Sequence, residues 1–252
     1  MGAIPRCRSL RRPAAGAIVR LMRAPWEELE PASRHSVEKQ HQALRRVEQL
    51  GDGVFAVAMT LLVLQLVVPQ FIRQPSEAAL RHALLDMSPA FYAYALSFLV
   101  LLMFWVLHHF EFHYMTRSSG GLIWLSAVLL VFVALSPFST ALVSRYAMTK
   151  TAVLFYEGNL LAIQLLLALT WRHAVGGGLL FGGDTPASVV RRMRTALRIG
   201  TAYLLLTIAL VFIEPHLSMN VLIGLGVYYV VLTAKGGYTL ELRKARPPTP
   251  GL

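Results

Sequence analysis

Six apolar runs dominate the chain: Val54–Val68, Phe91–Leu107, Leu122–Val143, Ala152–Leu169, Ala202–Ile213 and Leu217–Ala234. Crossing a bilayer takes about 20 residues of helix, so each run predicts one transmembrane helix whose ends extend a few residues further. The fifth is the weakest, because Arg198 limits it at one end and Glu214-Pro215 at the other. Loops between the runs are short except Val175–Arg194, where Gly176-Gly177-Gly178 and Gly182-Gly183 predict flexibility and Asp184-Thr185-Pro186 predicts the start of an interfacial helix.

Composition agrees with the pattern. At 252 residues, 56% hydrophobic, the chain carries more apolar surface than one soluble core would bury. A net charge of +11 would suggest nucleic acid in a soluble protein, but here the placement of the bases carries the information. With six spans, twenty Lys and Arg residues fall on the side of the termini, and only Arg73, Arg81, Arg145 and Lys150 fall on the other. This predicts an all-α membrane protein of six transmembrane helices with both termini cytoplasmic, and the Ala/Arg/Gly-rich composition points to a bacterial inner membrane.

The domain reading is a basic, unstructured cytoplasmic leader over 1–45, a transmembrane domain over 46–236 and a cytoplasmic tail over 237–252. The leader holds the single cysteine, Cys7, so no intramolecular disulfide is expected. Its apolar piece Ala14–Met22 is interrupted by Arg20 and too short for a signal sequence, and a helix is expected to begin near Ser36.

No phosphate-binding GxxxxGK[ST] or GxGxxG loop occurs, and nothing reads like the TVGYG filter. The informative segment is Arg46-Val-Glu-Gln-Leu50-Gly51-Asp52-Gly53, which runs straight into the first apolar helix. Ionised groups at a helix mouth usually face protein or water. Interfacial anchoring by Arg46 and helix-start stabilisation by Asp52 account for them equally well.

The segment resembles the RxxxFSDG signature of the TMEM175 family of potassium channels. Arg46, Asp52 and Gly53 match, while Leu50 and Gly51 stand where the family has Phe and Ser. The resemblance continues in Trp105-Val-Leu-His108-His109, like the family's Trp-x-x-His-His, and in Leu135-Ser-Pro137-Phe138-Ser139-Thr140. It covers residues 46–173 well. It implies a homotetramer with the first helix of each subunit lining a central pore. Carried onto this chain, the constriction would be formed by Val57, Leu61 and Leu64, with the hydroxyl of Thr60 beside them. Such an apolar ring would pass partly dehydrated ions and favour potassium, which gives up water more readily than sodium. The permeant ion is potassium and no cofactor is implied.

At 100° per residue Val57, Thr60, Leu61 and Leu64 fall at about 0°, 300°, 40° and 340°, with Gly53 and Val68 on the same stripe. The spacing alone equally describes ordinary helix packing. His108, His109 and His113, with Glu111 between, end the second run, and His109 and His113 have the spacing of a metal pair. No second His pair supports a metal or haem site, so the favoured reading is a polar brace: Trp105 and one histidine of the 108/109 pair bonded to Arg46 or Asp52. Glu157 is expected to pair with Lys150, and Pro137 and Pro215 to kink their helices. The chain is therefore expected to be no enzyme but a potassium channel, its partners being its own copies, lipid and potassium. The rivals are a secondary or proton-coupled carrier, which would want ionisable residues at mid-membrane, and a membrane metalloenzyme.

Overall fold

The computed structural model describes residues 31–146, 149–180 and 186–234, of which 31–37 and 225–234 are described as backbone only. Among these residues the chain is helical. Helix α1 is Pro31–Leu61, continued by a 3-10 turn, Leu62–Gln65; then follow α2 (Glu77–Asp86), α3 (Ser88–His113), α4 (Gly120–Arg145), α5 (Lys150–Gly176), α6 (Ala187–Val211) and α7 (Pro215–Ala234). Five of them, α1 and α3 to α6, are long and apolar enough to cross a membrane among the described residues. Helix α7 coincides with the sixth apolar run.

The helix ends depart from the hydropathy pattern in four places. First, α1 starts at Pro31, five residues before the start expected near Ser36, so the part of the leader from 31 to 45 is helical. Hydropathy misses this stretch because it is polar, yet no proline interrupts the chain between Pro31 and Pro69. Its anchor is Leu44, buried with Phe112, Met115, Leu122, Ala174 and Leu179 in a small core at one end of the bundle. Residues 1–30, including Cys7, and the tail 237–252 lie outside the described residues.

Second, the α-helical part of α1 ends at Leu61 instead of Val68, because the chain tightens into the 3-10 turn. Val67 and Val68 precede Pro69, which disfavours the α region in the residue before it. Third, α6 begins at Ala187, so Arg198 lies inside the helix and does not limit it. Pro186 is its N-cap residue, while Asp184 and Thr185 fall outside the described residues. Fourth, α2 was not expected. Its signal was present in Ser76-Glu77: the Ser76 hydroxyl accepts a hydrogen bond from Ala79 N at 3.2 Å, capping the helix.

Helix α4 packs on α1, α3 and α5, while α6 packs on α5 and α7. At one end, here called the basic end, the α3–α4 and α5–α6 connections are tied by the Met115–Leu180 bridge, by Thr116 N donating to Leu179 O (2.8 Å), and by Ser119 Oγ and His173 Nε2 at 2.9 Å. At the opposite end Lys150 Nζ donates to Phe212 O at 3.3 Å. Pro215 does not kink a helix; it opens α7, where its missing N–H costs nothing. Pro137 does lie inside α4.

The core between the helices is apolar with a polar seam. Ser97 Oγ donates to Tyr156 OH (3.0 Å), Thr140 Oγ1 lies 2.9 Å from Ser97 Oγ, and Asn159 Nδ2 donates to Ser136 Oγ (3.2 Å). The expected Glu157–Lys150 pair is not formed. Glu157 is fully buried and its Oε1 meets Ser218 Oγ, which also reaches Thr207 O at 2.7 Å. Helices α6 and α7 are thereby fastened to α5 from within, where a buried hydroxyl is the nearer partner and the Lys150 amine stays at the surface.

Candidate functional site: the first helix and its brace

Helix α1 has two unlike faces. Phe55, Ala58 and Leu62 are buried in the main core. On the other side Arg46, Leu50, Gly53, Val57, Thr60, Leu61, Leu64 and Val68 are all exposed. Val57 is 56% exposed and Leu64 69%. All four predicted constriction residues therefore stand on one exposed stripe. The Thr60 hydroxyl is not free along that stripe: it donates to Val57 O, 2.8 Å away in the preceding turn. A shallow apolar groove lined by Leu50, Gly53, Val57 and Leu61 runs beside the stripe and is walled by Ala134 of α4.

The 3-10 turn changes the upper part of the stripe. Side chains three residues apart eclipse in a 3-10 helix, so Leu64 stands above Leu61 instead of trailing it by 60°. The turn is tied to α4 by Gln65, whose Nε2 donates to Pro137 O at 3.2 Å. The sequence reading missed Gln65, because its partner is a backbone carbonyl 72 residues away.

Helix α1 is held by α3 through a brace at the basic end. Asp52 does not start a helix, since α1 runs through it; its Oδ1 accepts a hydrogen bond from Trp105 Nε1 at 2.9 Å. The histidine half of the expected brace takes another form. His109 stacks on Trp105, with centroids 5.8 Å apart and an angle of 21°, and its Nδ1 lies 3.5 Å from Glu48 Oε1. His108, 100° around α3, is buried between Phe55 and Phe112, at centroid distances of 5.6 and 4.6 Å, and neither ring nitrogen has a partner among the described residues. Arg46 is exposed and takes no part in the brace. Glu111, one turn further along α3, is also buried without a hydrogen bond among the described residues.

Gly51, which stands where the family has Ser, lies against the His108 ring. A Cβ there would stand 2.6 Å from His108 Cε1, so the glycine makes room for the ring. Gly51→Ala is expected to lower stability by about 1 kcal/mol as His108 tilts away, read as a drop in the thermal unfolding midpoint of the purified protein. Gly53, by contrast, meets nothing within 4 Å. As for the histidine metal pair, His113 packs edge-on against Tyr114, and no group of three potential ligands converges among the described residues.

Long apolar helices, an interior sealed by packing and hydrogen bonds, and a bare apolar stripe on one helix define a multi-pass helical membrane protein. The chain matches the family described as "Endosomal/lysosomal potassium channel TMEM175" over residues 46–137. It is 33% identical over 189 residues to a potassium channel of Chamaesiphon minutus, spanning 74% of this chain and 93% of the relative. A potassium channel of Streptomyces collinus is 34% identical over 188 residues, 73% of this chain and 90% of that one. The crystal structure of a lysosomal potassium-selective channel TMEM175 homolog from Chamaesiphon minutus superposes with a TM-score of 0.67 at 32% identity, covering 75% of this chain and 97% of that one. This chain belongs to the TMEM175 family.

Proposed function

We propose that the chain is one subunit of a potassium-selective channel, a homotetramer whose central pore is lined by α1. The observation that carries this reading is the exposed stripe on α1, from Arg46 to Leu64, opposite a face fully packed into the subunit. Six spans bring both termini to the cytoplasmic side of a bacterial inner membrane, and four copies of the stripe converge on the symmetry axis. Val57, Leu61 and Leu64 then form stacked apolar rings with Thr60 between the first two. Asp52, Trp105, His108 and His109 hold the helix, and Gly53 leaves the mouth open. Potassium passes as substrate of the pore; no cofactor is needed and no bond is made or broken.

Purified protein in potassium-loaded liposomes tests this directly. Flux that prefers potassium over sodium, and that changes in Leu61→Ala and Leu64→Ala, supports the pore. Absence of flux from a well-folded oligomer would overturn it in favour of a carrier. Val57 is smaller than the Leu or Ile that the resemblance leads one to expect in that ring. Val57→Leu should therefore sharpen the preference for potassium over sodium; an unchanged permeability ratio counts against a ring at this position.

A further inference from the structure

Among the described residues, helix α6 has one face with no partner. Val189, Met193, Leu197, Gly200, Leu204, Thr207 and Val211 are buried and cluster within about 40° of one direction at 100° per residue. The opposite direction carries Arg191, Arg194 and Arg198, followed by Ala202, Leu205 and Ala209, and all six are exposed. None of the three arginines has a hydrogen bond or ion pair among the described residues, and α6 contains no acidic residue. The stripe is thus basic along its first half and apolar along its second.

Depth makes the arginines unusual. Gln164 Nε2 donates to Leu197 O at 3.0 Å, and Gln164 fits against Gly200, where a Cβ would stand 2.8 Å from that amide. Arg198 is therefore level with Gln164, 14 residues from the start of α5 and 12 from its end, or roughly 18–21 Å from either. A guanidinium this far inside the bundle and open to its surroundings needs an anionic partner. Helix α6 packs on α5 and α7, and the stripe lies on the side away from its buried residues.

We infer that the outer face of α6 binds an anionic phospholipid. Its phosphate is drawn in by Arg194 and Arg198, with Arg191 at the entrance, and an acyl chain lies along Ala202, Leu205 and Ala209. Guanidinium forks bind phosphate oxygens two at a time, and a ladder of three lets the headgroup sink below its usual level. The continuous apolar half selects an amphiphile over a free anion. This site does not depend on whether the chain conducts.

The test is the thermal unfolding midpoint of the whole detergent-solubilised protein, titrated at constant ionic strength with dioctanoyl phosphatidylglycerol, dioctanoyl phosphatidylcholine or inorganic phosphate. Phosphatidylglycerol should raise the wild-type midpoint by about 3–5 °C more than phosphatidylcholine does. Equal shifts with the two lipids overturn the proposal on the wild type alone, and an equal shift with inorganic phosphate overturns the choice of a lipid. In Arg194→Gln/Arg198→Gln the difference between the lipids should vanish, while Arg117→Gln, an exposed arginine on the α3–α4 connection, keeps it. Should the double variant not fold, Arg194→Lys/Arg198→Lys replaces it. Retaining the charges without the forks, it should keep less than half of the difference, and an undiminished difference would overturn the forked contact.

Discussion

Phe55→Ala should cost about 3–5 kcal/mol of stability, whereas Val57→Ala, two residues away on the same helix, should cost less than about 0.5 kcal/mol. Phe55 is fully buried in the main core, touching the His108 ring, and its loss leaves a cavity that the surrounding helices cannot fill. Val57 is more than half exposed, so its truncation leaves no buried cavity among the described residues. Thermal unfolding in detergent measures both, and size-exclusion chromatography establishes that the Val57 variant keeps the wild-type assembly. The functional consequence runs the opposite way: Val57→Ala should alter ion flux while leaving the fold in place. If the two variants unfold alike, the two faces of α1 are not divided as described.

The second large effect concerns the brace. Removing either partner of the Asp52–Trp105 hydrogen bond, by Asp52→Ala or Trp105→Phe, should cost about 1.5–3 kcal/mol, the range for a bond to a charged group. The double variant should cost little more than one single, because the interaction can be lost only once. Additive losses in that cycle would mean that the two side chains act separately. Since the bond joins α1 to α3, the single variants are also expected to lower potassium flux through a displaced α1, beyond any loss of folded protein.

Much of this architecture was legible in the pattern of the chain. The apolar runs matched the order of the long helices, five of which are long and apolar enough to span among the described residues, and Arg46-to-Gly53 followed by Trp105 and His108-His109 pointed to contact between α1 and α3. The sequence brought Trp105 to either Arg46 or Asp52, and the structure selects Asp52, whose carboxylate accepts from the indole N–H. Which histidine faces the core could not be read, since 108 and 109 are neighbours in sequence and differ only by 100° of rotation. Hydropathy reports only the stretch that meets hydrocarbon, while α1 continues through polar residues past the Ser36 start expected from the sequence to Pro31, held by Leu44. Glu157 misled because a charge suggested a charge as partner. Inside a bundle, the hydroxyl of Ser218 satisfied it instead.

The overwound turn at Leu62–Gln65 gives α1 a screw thread of its own. Three residues of 3-10 helix rise roughly 6 Å, against about 4.5 Å in an α-helix, so relaxing the turn would lower Leu64 by about 1.5 Å and swing it about 60° around the axis. The rest of the helix need not move. Gln65, hooked to the carbonyl of Pro137, is the pin that keeps the thread wound, and a tug on α4 at its proline would be transmitted as rotation of a single leucine.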